Sequence, residues 1–288
     1  MRVLKWIGGL LGGLLLLLVV AAFVLMALGA SAADRRHRVP EQVLADARTG
    51  DPVRGEHLSQ VLACRECHGD RLQGREMIDA PPFHVIAANL TNGHGGAGRI
   101  FGPLDWDRAV RFGVTPDGRA LLPMMPSHRF FHLADDDASH LAAYLATLPA
   151  VDNILPKSAL RPLGRALVGA RLFPVDATVT DPDTPRLATA PPAAPTAAYG
   201  AYLSRAICME CHGDDLRGAP AVERGAPPGP SLANASRWSL SEFAKALREG
   251  ETPNGAVLDP QYMPWQSFSY YTDQEVEALY RHLETSLP

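Results

Sequence analysis

The chain of 288 residues has no cysteine to spare, no concentrated basic patch and, over one long stretch, no charge at all. Its four cysteines fall in two pairs, Cys64/Cys67 and Cys208/Cys211, and a histidine follows each pair directly, His68 or His212. No thiol is left for a structural disulfide. A formal net charge of −4 with no cluster of Lys and Arg argues against a nucleic-acid partner. Ile7 to Ala30 runs 24 residues without an acidic or basic side chain, and Leu14 to Val20 is unbroken apolar. The rest is ordinary for a folded protein, 47% hydrophobic and 20% charged, and the length suits about two domains.

What is present is a repeat. Cys64-Arg65-Glu66-Cys67-His68 returns as Cys208-Met209-Glu210-Cys211-His212, and Cys64 to Gly74 and Cys208 to Gly218 both read C-x-E-C-H-G-D-x-L-x-G. C-x-x-C-H is the attachment signature of c-type haem. Two intervening residues make one helical turn, which sets both sulfurs against one edge of a porphyrin to add across its vinyl groups. The next residue falls beneath the iron as an axial ligand. A four-Cys zinc site or a pair of thioredoxin-like dithiols would also use four cysteines. Neither accounts for a His after both pairs or for a duplicated unit around each. The sequence thus implies two covalently attached haem c groups, on Cys64 and Cys67 and on Cys208 and Cys211, with His68 and His212 on the iron.

The surroundings repeat as well. Pro52 to Ala63 and Tyr199 to Ile207 read as helices entering the two motifs, with Gly55 and Gly200 in matching places. Glycine in a helix costs about 1 kcal/mol against alanine, so its recurrence predicts close approach by another helix. Asp105 to Phe112 and Leu240 to Glu249 align through Trp106/Phe243, Ala109/Ala246, Val110/Leu247 and Arg111/Arg248, the two aromatics being expected as core against haem. Both then turn through Pro-Asp-Gly or Pro-Asn-Gly, at Gly118 and Gly255. Asp135 to Leu148 and Asp273 to Leu287 carry one apolar face at helical spacing and precede Pro149 and Pro288. Thr272 and Glu275 form a capping box, whereas Ala134 stands at the matching place and Asp135 is the expected cap.

Each iron needs a second axial group, and His/Met pairs mark electron-transfer cytochromes. Met263 is the one Met after His212. The first unit offers Met124 and Met125, with Met77 read as core or loop. Met263 precedes Pro264 and Met125 precedes Pro126, eight and seven residues past the turn glycines, so the repeat selects Met125. His84, His94, His128 and His132 compete on chemistry alone but read as solvated loop histidines, and His282 as surface or packing.

Val151 to Thr196 belongs to neither unit. Leu160, Leu163 and Leu167 predict a short helix packed across both units, or one on a membrane surface, and Asp181 to Thr196 is a Pro/Ala-rich linker. At the N-terminus, 24 uncharged residues exceed the 7–15 or so of a signal peptide and meet the about 20 of a spanning helix. Length favours an uncleaved anchor, although Ala30-Ser31-Ala32 has the small residues of a cleavage site. Arg2 and Lys5 before the span are balanced by Arg35, Arg36 and Arg38 after it, so charge does not orient it. Covalent haem attachment, which takes place outside the bacterial inner membrane, places the body in the periplasm. Asn89-Leu90-Thr91 and Asn234-Ala235-Ser236 match a glycosylation pattern by coincidence.

Two C-x-x-C-H units, each with a late Met-Pro and a closing helix, resemble the multihaem cytochrome c subunits of periplasmic membrane-bound dehydrogenases, such as those of alcohol, gluconate and nicotinate dehydrogenases. Asn89-Leu90-Thr91, Gly113 to Gly118, Pro123 to Pro126 and Leu133-Ala134-Asp135 carry the likeness in order. The resemblance implies an all-α fold: two tandem class I cytochrome c domains, 41–150 and 197–288, joined by a connector (151–196) and preceded by a membrane anchor or signal (1–33). It implies an electron relay from a dehydrogenase to a cytochrome, terminal oxidase or quinone pool, with no substrate chemistry of its own. The alternative is a dihaem peroxidase or thiosulfate-oxidising enzyme, which needs one iron with an open or unusual position.

Overall fold

The computed structural model describes residues 2–177, 179–221 and 225–287, so Pro288 lies outside it. A long helix, α1 (Arg2–Ala33), comes first, and its Lys5–Ala33 stretch is apolar enough to cross a membrane, with a mean hydropathy of 2.9. The first half then folds as α2 (Pro52–Val61), α3 (Cys64–His68), β1 (Arg75–Asp79), β2 (Phe83–Ala87), α4 (Asp105–Val110), α5 (Ser127–Phe130) and α6 (Asp135–Ala146). A connector with β3 (Ala159–Leu160) and α7 (Pro162–Gly169) leads to the second half. That half comprises α8 (Ala197–Ala206), α9 (Cys208–His212), α10 (Leu240–Glu249), α11 (Trp265–Phe268) and α12 (Asp273–Ser286).

Local chemistry sets these boundaries. Asp51 caps α2, its carboxylate accepting from Val53 N at 2.9 Å, with Pro52 in the first turn where its missing N–H costs nothing. Thr196 caps α8 and Ser239 opens α10 through a capping box with Glu242. The expected Thr272–Glu275 box is formed at α12.

The glycine prediction holds in both halves. A Cβ on Gly55 would stand 1.9 Å from the His140 carbonyl oxygen of α6, and one on Gly200 1.9 Å from that of Ala278 on α12. Each entry helix thus lies backbone against backbone on its closing helix. Buried side chains of both halves join in one apolar core, from Leu58, Trp106 and Leu141 to Leu203, Phe243 and Leu279.

Three expectations are corrected. The fold is mostly helical but not all-α. A three-stranded antiparallel sheet, β1-β2-β3, forms where Met77, Ile78, Phe83, Val85 and Ile86 flank the Ala80-Pro81-Pro82 turn, and the connector supplies its third strand. Asp135 does not cap α6. Its carboxylate binds Arg111 at 2.7 Å, and the free N–H groups of Asp135 and Asp136 donate instead to Leu187 O (2.9 Å) and Ala188 O (3.2 Å). Nor does α7 pack across both halves: it lies against the end of α1, where a Cβ on Gly29 would stand 1.8 Å from Arg165 O and one on Gly169 2.0 Å from Leu25 O. The linker 181–196 holds no helix or strand, as expected.

Candidate functional site

The two C-x-x-C-H turns are α3 and α9, and the backbone around them recurs residue by residue. Gly69 (φ 79°, ψ 163°) and Gly213 (φ 81°, ψ 160°) end the turns in a region open to glycine alone. Leu72 and Leu216 follow in the left-handed region, at φ 57° and 58°, both fully buried. Gly74 N donates to His68 O at 2.7 Å and Gly218 N to His212 O at 2.8 Å. A leucine held left-handed at the same place twice is strain tolerated because burial of its side chain fixes the loop.

The histidines are set alike. His68 Nδ1 donates to Ala88 O at 2.7 Å, and His212 Nδ1 donates to Pro230 O at 2.7 Å. A carbonyl can only accept, so Nδ1 carries the proton and Nε2 keeps a free lone pair, the arrangement of a metal-binding imidazole. Burial lowers both histidines' pKa, which keeps them neutral despite the carbonyl bonds that favour the charged form.

The thiols behave oppositely to redox dithiols. Burial pushes Cys64 and Cys208 up to about 12 and raises Cys67 and Cys211 as well, whereas thioredoxin-type chemistry needs a lowered thiol. Among the described residues no three His, Cys, Asp or Glu side chains converge as a metal site.

Met125 and Met263 occupy matching turns. Ser127 N donates to Met125 O at 2.8 Å across Pro126 (φ −80°, ψ 53°), and Trp265 N to Met263 O at 2.7 Å across Pro264 (φ −75°, ψ 60°). Both are inverse γ-turns that proline pre-sets. Met125 and Met263 pack against the core together with Cys64 and Cys208, while Met124 is half-buried. Two thiols on one turn, an imidazole with Nε2 free and a core-facing thioether in each half form a donor set that fits a c-type haem.

The competing histidines have other partners or lie in solvent. His84 pairs with Glu76 at 2.7 Å, His128 with Glu210 at 3.0 Å, His282 with Ser286 at 3.0 Å, and His94 and His132 are exposed. Met77 is exposed, and Trp106 and Phe243 are core as expected. Asn89 is buried and donates to Val151 O at 2.9 Å, which is a structural role.

Sequence reasoning missed what joins the halves. Glu66, inside the first C-x-x-C-H turn, accepts from Ser267 Oγ at 2.7 Å, and Glu210, inside the second, accepts from Arg129 Nε at 2.9 Å. Ser267 and Arg129 each stand four residues past their Met. His57 Nε2 bonds Glu275 at 2.9 Å, and Tyr202 donates to Asp137 at 2.8 Å. His57 and Tyr202 each lie two residues past the helix glycine, and Asp137 and Glu275 each stand third in a closing helix. The halves therefore meet across an approximate twofold that runs through both C-x-x-C-H turns. The signal was the Glu common to both motifs; its partner could not be read from the repeat.

Set beside known proteins, residues 197–286 match the cytochrome c family, which indicates a covalently bound haem c there. More particularly, the chain is similar to cytochrome c subunits of dehydrogenases. It is 28% identical over 275 residues to the cytochrome c subunit of a quinone-dependent alcohol dehydrogenase from Gluconacetobacter polyoxogenes, covering 84% of this chain and 57% of that one. It is 26% identical over 283 residues to a fructose dehydrogenase cytochrome subunit from Gluconobacter japonicus, covering 87% and 55%. A dihaem c-type cytochrome from Cereibacter sphaeroides is 28% identical over 235 residues, 72% of this chain and 75% of that one. The chain thus spans little more than half the length of the dehydrogenase subunits, at 57% and 55%.

Proposed function

We propose that the chain is a membrane-anchored dihaem cytochrome c that relays single electrons from a dehydrogenase to a respiratory acceptor in the periplasm. The observation that carries it is the twofold contact through both haem turns, Glu66 with Ser267 and Glu210 with Arg129, which holds two equivalent sites against each other as a relay requires. Bound haem supplies one-electron redox chemistry. The chain's residues do the rest. Cys64, Cys67, Cys208 and Cys211 would tether the groups, and His68 and His212, through Nε2, with Met125 and Met263 would hold the iron. Ala88 O and Pro230 O hold the histidine protons away from the metal. Residues 41–150 and 197–288 form two tandem cytochrome c domains, and α1 is the retained anchor, a single span of the bacterial inner membrane with the haem domains in the periplasm. The dehydrogenase relatives support a dehydrogenase donor; a cytochrome, terminal oxidase or the quinone pool is the acceptor.

The test is purification of the full chain from membranes. Intact-mass analysis should show two haems, the oxidised spectrum the weak far-red band of Met–iron bonds, and Met125→Ala and Met263→Ala should each remove part of it. A dehydrogenase subunit should copurify. A single haem overturns the dihaem reading, and a high-spin resting signal from one of two haems overturns the relay in favour of catalysis.

A further inference from the structure

We infer that α7 and the turn after it insert into the outer leaflet of the bilayer that α1 crosses, giving the chain a second membrane contact beside its anchor. The inference rests on the anchor reading.

The geometry fixes how deep α7 reaches. The exposed apolar side chains of α1 run from Val3 and Trp6 through Leu14–Val20 to Phe23 and Val24, with Leu28 also bare on the uncovered side. From Leu25 the helix is partly covered, at Leu25, Met26, Gly29, Ala30, Ala32 and Ala33. The cover includes α7. Gly29 meets the Arg165 carbonyl and Gly169 meets the Leu25 carbonyl, so the two backbones touch and run antiparallel, position 165 beside 29 and 169 beside 25. Rising residue number along α7 therefore descends α1 toward its bare part. Counting from Ile7, about 20 residues at about 1.5 Å each span the roughly 30 Å hydrocarbon layer and end at Met26. The start of the covered side and the length of the span put the outer boundary at the same turn of α1. Gly169 is level with it, and Leu172 stands in the turn that closes α7 there, its N–H donating back to Leu167 O at 2.9 Å.

What the chain presents there suits a lipid boundary. Leu163 is 52% exposed and Leu172 is 74% exposed. Arg165 and Arg171 are exposed alongside them, where anionic headgroups would meet the guanidinium groups. The segment is also held rigidly. Arg161 N donates to Pro82 O at 3.0 Å, a Cβ on Gly164 would stand 2.1 Å from the same oxygen, and the Phe173 ring lies 4.4 Å from that of Phe83. Arg35, just past α1, pairs with Asp176 at 3.3 Å. With α7 immersed at its lower end, the first half is fixed in tilt as well as in distance from the membrane.

The experiment uses the full haem-loaded chain in nanodiscs containing anionic lipid and a photoreactive diazirine lipid, with labelled peptides located by mass spectrometry. Label is expected on α1 and on the peptide containing residues 170–174. Leu172→Asp should lower the second label about fivefold while leaving the α1 label and the haem spectrum unchanged. Label on α1 with none at 170–174 in the wild-type chain overturns the second contact and leaves the anchor standing. Absence of label on α1 overturns the anchor reading and this inference with it.

Discussion

The two halves reach the same C-x-x-C-H turn geometry by different means. In the first, Arg111 is wholly buried, held by Asp107 at 2.7 Å, by Asp135 at 2.7 Å and by Leu133 O at 3.0 Å. Its counterpart Arg248 makes the same two outward bonds, to Asp273 at 2.8 Å and Tyr271 O at 2.5 Å, but Asp273 is 94% exposed. The first closing helix borrows its cap from the linker carbonyls of Leu187 and Ala188, while the second carries its own capping box. The connector explains the contrast. It gives the first half β3, Asn153 Nδ2 to Gln73 O at 2.8 Å, and the cap of α6, whereas the second half takes from its last residue, Thr196, the cap of α8. One half is stabilised by distant chain, the other by its own neighbours.

The sharpest break of that comparison is at the arginines. Asp107→Ala should cost about 3 kcal/mol, the low end for breaking a buried pair, because Asp135 and Leu133 O still hold Arg111. Asp273→Ala should cost about 0–1 kcal/mol, as for exposed pairs. Denaturant melts followed by circular dichroism would distinguish them, and equal losses would refute the contrast. Gly55→Ala and Gly200→Ala should each cost about 1–3 kcal/mol by forcing a methyl onto a carbonyl oxygen. These two should match, since here the halves are alike.

Smaller effects test the caps. Thr272→Ala should lose about 1 kcal/mol, whereas Ala134→Ser should gain nothing, because the linker already satisfies the first turn of α6. The last is a pH effect. Burial would raise the Glu275 carboxyl, but hydrogen bonds from His57 and from the Thr272 backbone outweigh it and hold the carboxyl below its usual value. A depressed carboxyl contributes stability that is present above its unfolded value, near 4.5, and is lost as pH falls through the lower folded value. Acid melts should therefore show this loss in wild type and a shallower one in Glu275→Gln.

Much of the site was legible because its signals are local and doubled. The C-x-x-C-H turns, Gly55 and Gly200, the Thr272–Glu275 box and the paired Met-Pro steps each involve residues within a few positions of one another, and the second copy tested the first. The sheet was not legible, since Arg75–Asp79 and Phe83–Ala87 pair with each other across a Pro-Pro turn and need β3 from over 70 residues away. The partner of α7 was equally hidden: the leucine spacing marks an apolar face, but Gly29 and Gly169, which decide what it meets, look like ordinary helix glycines. The contacts of Glu66 and Glu210 lie outside the repeat's reach because each joins one copy to the other.

That reciprocal contact is the kind two separate copies of a single-haem protein would make on dimerising. Two free copies would have to associate at their own dilution, against the lost freedom of both partners. A tether of the length of the connector replaces dilution with an effective concentration on the order of millimolar. A handful of polar pairs, His57 with Glu275, Tyr202 with Asp137, Glu66 with Ser267 and Glu210 with Arg129, can then keep the halves engaged where the same pairs between separate molecules would form only fleetingly.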